Sequence, residues 1–573
     1  MISFVLFASA AAAALVLVLR RFLNPFKRPG VTLTPLRGPP RTSPLFGVTR
    51  LIRLSPNPRE IYATWVKEYG SVFRIPLPFG SEAIVVTDPK AVAHIFGKDT
   101  FVYVKTPGLR VVTERVIGKG VLWVEGEDHR KQRKALNLAF SPGAIKNMTP
   151  VSYDTVYRLK AEWDKLLESS TTGAQVELDM HEWTMKLTLD TVGRAVFGHD
   201  FRTLEGNYST IEEALHVFNT TIPSKLGMIT YAASIFVPWI GNLPTKRNTL
   251  FKNLSDSAHS ILENLLSAKA TKENPDVVET GRKRQKSLIE LLIDAEDDGL
   301  SLESAKRKKE IVTQMKAILI AASDPPGRHS GVPNPVVLVV SSDHQYFSCK
   351  AKEWALIELS RRPAIQARIR AEINSAPGVE LDWNRLQSAC PYLDAFISEV
   401  LRLRPSFGET PRVTNEDDIL QLKEPITNAS GELIDKIFLP KGTKVIIPNH
   451  FMNTAPDLWG TDAVELNPDR WIRQKESISG KEAIDEMSAS NGRFLSFGQG
   501  PRVCVGKAFA TAQLKHTDLV YTKIVLAVLL REYSFALPQG PDTAIDFHYS
   551  LIARPKVRGQ VGAKLPLLIS RAR

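Results

Sequence analysis

The pattern of apolar and polar positions opens on an unbroken hydrophobic run. From Met1 to Leu19 the polar side chains are Ser3 and Ser9, and a helix of that length reaches about 28 Å, close to the hydrocarbon thickness of a bilayer. The basic residues Arg20, Arg21, Lys27 and Arg28 follow the run rather than precede it. That order predicts an uncleaved anchor over residues 1–20 with a cytosolic body; a cleaved signal peptide, which carries its charges first, is the other reading. Pro25, Pro29, Pro35, Pro39, Pro40 and Pro44 prevent the helix from continuing and predict a stiff linker over 21–47. Between Ser71 and Asp88 two β-rich runs flank Pro78–Gly80, which predicts a hairpin. Apolar residues at helical spacing predict amphipathic helices from Val151 and from Ser257, and the polar stretch 271–286 reads as a solvated loop. No internal repeat of 20–50 residues is present.

Composition narrows the class. With 573 residues and 43% hydrophobic positions the chain can bury a large core, and its three cysteines are too few for a disulfide scaffold. A reducing compartment fits that usage. The 74 basic and 61 acidic residues leave a net charge of +13, which suits an acidic partner or an anionic surface and equally a solvated excess of lysine.

Chemistry concentrates near the C-terminus. Residues 497–506 read FGQGPRVCVG and match F-x-x-G-x-R-x-C-x-G through Phe497, Gly500, Arg502, Cys504 and Gly506. Five fixed positions over this length have a chance expectation of about 2 in 10,000. A lone Cys504 would read as an inert buried thiol. Its neighbours change that: Gly498, Gly500 and Gly506 allow close backbone approach to a flat ligand, Arg502 offers a cation to a carboxylate, and a helix predicted from Lys507 points its N–H groups at the sulfur. These features favour a thiolate, the form that ligates iron.

On these residues the chain resembles the cytochrome P-450 family, the haem-thiolate monooxygenases, and in particular fungal microsomal members. The resemblance implies a mainly α fold with small β-sheets (α+β), one haem domain over 48–573, and haem b with Cys504 as axial metal ligand. Further motifs fall in the family's order. Glu399 and Arg402 form E-x-x-R, and Arg470 lies in NPDRW, where the family has P-E-R-F; together these imply an ion-pair cluster beneath the haem. His129 and Arg133, four residues apart on one helical face, and Arg412 in TPRVT occupy positions that imply contacts to the haem propionates.

The distal motif A-G-x-[D/E]-T is where the chain departs. Ala321, Ala322, Ser323 and Asp324 align with A-G-x-D and imply Asp324 as the catalytic proton donor, but Pro325 and Pro326 stand where threonine is expected. Residues 322–351 and 516–523 exceed the family's usual length and read as inserts, as retained introns would. The implied function is insertion of one oxygen atom of dioxygen into a lipophilic small molecule, such as a terpenoid of fungal secondary metabolism. The alternative is a haem-binding protein impaired by its broken distal motif. The resemblance further implies NADPH–cytochrome P-450 reductase as electron donor, with cytochrome b5 as a second donor. It implies a single-pass anchor in the endoplasmic reticulum membrane with a cytosolic haem domain, and no nucleic-acid partner. Arg130, Lys131, Arg133 and Lys134, with Lys507, would then form a basic docking face for an acidic reductase.

Overall fold

The computed structural model describes residues 34–170, 174–207, 246–271, 304–322, 348–375, 388–405, 407–472, 494–506, 520–549, 553–560 and 564–572, with single positions 243, 287, 289, 290 and 385. Residues 1–20, Ser323–Asp324 and the start of a helix after Gly506 lie outside them. Among the described residues no helix is long and apolar enough to cross a membrane.

The chain enters through α1 (Thr49–Leu54) and α2 (Pro58–Tyr69). The predicted hairpin follows as β1 (Val72–Pro76) and β2 (Glu82–Val86), paired antiparallel from Val72 with Val86 to Pro76 with Glu82. A 3-10 turn over Pro78–Gly80 joins them, and Gly80 takes the φ of +74° that the reversal needs. Next come α3 (Pro89–Gly97), β3 (Tyr103–Val104), α4 (Pro107–Val116) and α5 (Gly126–Ala139). α6 (Pro142–Glu168) contains the helix read from Val151 and starts at the Ser141 cap. β4 (Gln175–Asp179), α7 (Met180–Phe197), α8 (Lys246–Thr271) and α9 (Ser304–Ala322) follow.

The second half holds α10 (Ser348–Arg361), α11 (Pro363–Ser375), α12 (Pro391–Leu403), β5 (Thr410–Thr414), β6 (Asp418–Thr427), β7 (Leu433–Leu439) and β8 (Lys444–Ile447). Two single-turn helices, α13 (Asn449–Met452) and α14 (Pro456–Trp459), precede the cysteine segment. The chain closes with α15 (Val520–Glu532), β9 (Tyr533–Ala536), β10 (Ile545–Tyr549), β11 (Ala553–Val557) and β12 (Pro566–Arg571). Helices therefore dominate, with small sheets: β1-β2-β8-β5-β3, β4-β12-β9, β10-β11 and β6-β7.

Two segments make contacts that the sequence alone does not predict. The linker expected over 21–47 joins the domain at its C-terminal end: Leu36 is buried, the Arg74 N–H donates to the Arg37 carbonyl at 2.9 Å, and a Cβ on Gly38 would lie 1.9 Å from the Arg74 carbonyl oxygen. One apolar side chain and one glycine thus turn proline-rich chain into a strap along β1. Of residues 516–523, the described part, Val520–Lys523, forms the first turn of α15. Tyr521 is buried with its hydroxyl donating to the Leu187 carbonyl at 3.1 Å, and Lys523 pairs with Asp394 at 2.8 Å. These contacts hold α15 against α7 and α12 in the main core.

Candidate active site

The cysteine turn is built by backbone first. Gly498 (φ +67°) and Gly500 (φ +65°) occupy the left-handed region that L side chains avoid, and the Cys504 N–H closes the loop on the Phe497 carbonyl at 2.9 Å. Gly500 serves protein packing rather than a ligand: a Cβ there would stand 2.0 Å from the carbonyl oxygen of Phe96 at the end of α3. This corrects the expectation that it lets backbone approach a cofactor, because tertiary contact with α3 claims the same space. Gly506 does face the sulfur, with a hypothetical Cβ 3.8 Å from Sγ. Cys504 itself is 7% exposed.

Around this turn lies a cavity of about 60 Å³. Its apolar walls include Phe96, Val121, Leu122, Phe407, Leu495 and Phe497. Its polar lining joins the cations Lys105, Arg133, Arg412 and Arg502 to the uncharged Thr410, Asn449 and Gln499, with His129 among them. His129 and Arg133 share the inner face of α5, as their spacing requires, while Arg130, Lys131 and Lys134 are exposed on the same helix. The Arg133 guanidinium donates to the Val503 carbonyl and to Asn137 at 2.8 Å. Burial lowers Arg133 from its ordinary value, and negative charge at Cys504 works in the opposite sense. His129 is pushed down to about 3 by burial and then by Arg502, Lys105 and Arg133, so its imidazole is neutral near pH 7.

Sequence reading missed the carboxylates behind these cations. Arg412 on β5 forms a two-point ion pair with Asp99 (3.0 and 2.8 Å), and Arg502 donates to Asp99 at 3.3 Å, to Glu125 and to the Val124 carbonyl at 3.0 Å. Burial works to raise Asp99, but Arg412, Arg502 and Lys105 outweigh it and hold the carboxyl below its usual range. Asn449, also missed, lines the cavity and donates to Thr410 at 2.8 Å. No local motif marks Asp99, Glu125 or Asn449; Asp99 and Glu125 acquire their roles from chain more than three hundred residues distant, and Asn449 from Thr410, 39 residues away.

Glu399, Arg402 and Arg470 are brought together beside the cysteine segment. Arg402 is fully buried and every N–H it carries has a partner: Glu399 at 2.8 and 2.7 Å, and the carbonyls of Asn453 (2.8 Å), Ala463 (2.6 Å) and Glu465 (3.2 Å). Glu399 also accepts from the Asn467 N–H at 3.0 Å and lies 3.5 Å from Arg470. Trp471, standing where the family has phenylalanine, adds an indole N–H donor to Glu399 at 2.9 Å. Asn453 carries the order onward, donating to the Arg402 carbonyl (3.1 Å) and accepting from the Leu495 N–H (2.8 Å) just ahead of the cysteine turn.

The donor set suits haem. A flat macrocycle with two carboxylate arms needs apolar walls, a soft sulfur on one face and cations at one edge, and all three converge here. Asp324 lies outside the described residues, and α9, which would carry it, is described to Ala322.

The Cytochrome P-450 family model matches residues 37–325 and 349–563. Similar curated proteins include cytochrome P-450 monooxygenase claW of Ampulloclitocybe clavipes, 36% identical over 567 residues spanning 99% of this chain and 96% of that protein. Cytochrome P-450 monooxygenase claO of the same fungus is 38% identical, spanning 94% of this chain and 93% of its own. Cytochrome P-450 monooxygenase 205 of Postia placenta is 26% identical, again spanning 94% and 93%. With a family match over most of its length, and relatives above a third identical end to end, this chain belongs to the cytochrome P-450 family and is an oxidoreductase enzyme of that family.

Proposed function

We propose that the chain holds haem b on Cys504 and inserts one oxygen atom of dioxygen into a lipophilic small molecule, a fungal secondary metabolite such as a terpenoid. The observation that carries this reading is a buried cysteine in a turn whose neighbours line a cavity together with the cations Lys105, Arg133, Arg412 and Arg502. When bound, the haem supplies dioxygen activation, with the thiolate donating electron density to the metal. The chain's own residues do the rest. Gly498 and the Cys504 N–H fix the sulfur's direction, and neutral His129 with Arg133, Arg412 and Arg502 orients the carboxylate arms. The apolar walls exclude water and favour a lipophilic substrate. Asp324 is assigned to proton delivery.

The test is spectroscopic. Reduced, CO-treated full-length protein should show the absorption of thiolate-ligated haem, and Cys504→Ala should lose it with helical circular dichroism unchanged. A thiolate-type spectrum surviving in Cys504→Ala sinks the assignment. Product from lipophilic extracts supplied with NADPH and NADPH–cytochrome P-450 reductase, with cytochrome b5 as an alternative second donor, then identifies the substrate.

A second reading, haem binding with impaired oxygenation, draws on Pro325–Pro326 in the distal motif and on a family match that passes over residues 326–348. NADPH consumption that releases peroxide without product would favour it. Transcript reads across 322–351 and 516–523 separate true inserts from retained introns. The proposed location is the endoplasmic reticulum membrane, anchored by residues 1–20 with the haem domain cytosolic. Asn147 and Asn207, both exposed, are two of the five asparagines that head N-x-S/T triplets, with Asn219, Asn253 and Asn428, so a glycosidase-sensitive mass shift would place the body in the lumen and overturn this topology.

A further inference from the structure

We infer that Asp99 is a positioning residue that holds Arg412 and Arg502 in register at the cofactor edge of the cavity and sets the charge felt there; the inference rests on the haem reading above. Asp99 is fully buried behind the cations rather than facing the cavity. Its Oδ1 accepts from Arg412 Nε at 3.0 Å, Arg502 Nε at 3.3 Å and the Thr100 N–H at 2.8 Å, and its Oδ2 accepts from Arg412 Nη2 at 2.8 Å. The two arginines come from different walls, one on β5 and one in the cysteine turn. Side by side in a low-dielectric site they repel, and a buried carboxylate between them converts that repulsion into two ion pairs with fixed geometry.

A second, independent observation concerns the backbone. Thr100 adopts φ +77°, a conformation in which a β-branched residue is a strong outlier. Such strain persists where surrounding structure over-determines it, commonly at functional sites. Here the Thr100 N–H is tied to both Asp99 and the Tyr103 carbonyl (2.9 Å), and the Thr100 carbonyl accepts from the Gly126 N–H at 3.0 Å. Gly126 begins α5, the helix of His129 and Arg133. α3, which leads into the turn, packs against Gly500 in the cysteine turn. One strained turn therefore touches all three walls that present cations to the ligand.

The experiment uses the full-length haem-loaded chain, with the midpoint potential and the rate of haem transfer to an acceptor apoprotein as readouts. Asp99→Asn removes a negative charge near the metal, so the midpoint potential moves positive and haem is lost roughly tenfold faster. Asp99→Glu restores the charge and returns the potential to the wild-type value, while its longer arm leaves haem loss faster than wild type. A purely structural residue would shift the melting temperature without moving the potential. Unchanged potential and haem loss in Asp99→Asn overturn the inference. Should Asp99→Asn fail to accumulate, Asp99→Glu carries the test alone, and haem loss equal to wild type overturns it. Wild-type protein without a haem spectrum refutes the haem reading instead, so the two failures are distinguishable.

Discussion

Replacing Arg402 by lysine keeps the charge and removes the fork, which makes it a direct test of what the buried cluster beside the cysteine segment does. Arg402 directs five N–H groups to five acceptor contacts: both Glu399 oxygens and the carbonyls of Asn453, Ala463 and Glu465. An ammonium offers three donors from one point, so at least two of these contacts are lost. Each buried acceptor left unpaired costs about 1–3 kcal/mol, giving about 2–6 kcal/mol for the substitution. A domain with a typical stability of about 5–15 kcal/mol loses much of its margin. Because Asn453 links Arg402 to the Leu495 N–H, disorder should spread to the cysteine turn and lower haem occupancy. Urea unfolding followed by circular dichroism and haem absorption should show a midpoint lower by roughly 1 M. A midpoint within about 0.2 M of wild type, with full haem occupancy, would refute the reasoning.

Three further outcomes follow from single contacts. Gly500→Ala adds a Cβ 2.0 Å from the Phe96 carbonyl oxygen at φ +65°, so backbone strain and overpacking should cost about 2–5 kcal/mol; Gly97→Ala, with nothing within 4 Å, is the matched control in thermal melts. His450 is held down to about 3 from 6.5 by loss of solvation and by Arg404, Lys350 and Arg59. Its unfolded form therefore takes up a proton first, stability falls as pH drops from about 6.5 toward 3, and His450→Gln should flatten that fall in pH-dependent urea titrations. Charge reversal at the exposed Arg130 and Lys131 should slow reduction by the proposed reductase at low salt and have less effect as salt is raised, measured by stopped flow.

Much of the fold was legible where the signal is local. The β1–β2 hairpin followed from two β-rich runs about a proline–glycine turn, and the placement of His129 and Arg133 on one face of α5 followed from helical spacing alone. Proline content predicts a stiff linker over 21–47 and says nothing of what the chain lies against; in its described part Leu36 and Gly38 dock it on β1. Trp471 stands where the family has phenylalanine, and only its indole N–H on Glu399 explains what the larger side chain does. Tyr521 and Lys523 read as part of an insert, since their burial against Leu187 and Asp394 depends on chain more than a hundred residues away.

By itself the sequence determined the family, the cysteine turn, the helical faces and the excess of positive charge, because each is written in residue types at short spacing. Tertiary structure alone decided which cations are buried, which carboxylates neutralise them and which glycine answers to a neighbouring helix. Asp99 meets Arg502 across 403 positions of chain, and at that separation residue spacing carries no information about contact. Which groups lose water together, and so which charges must be paired, is fixed only when distant segments close around one cavity.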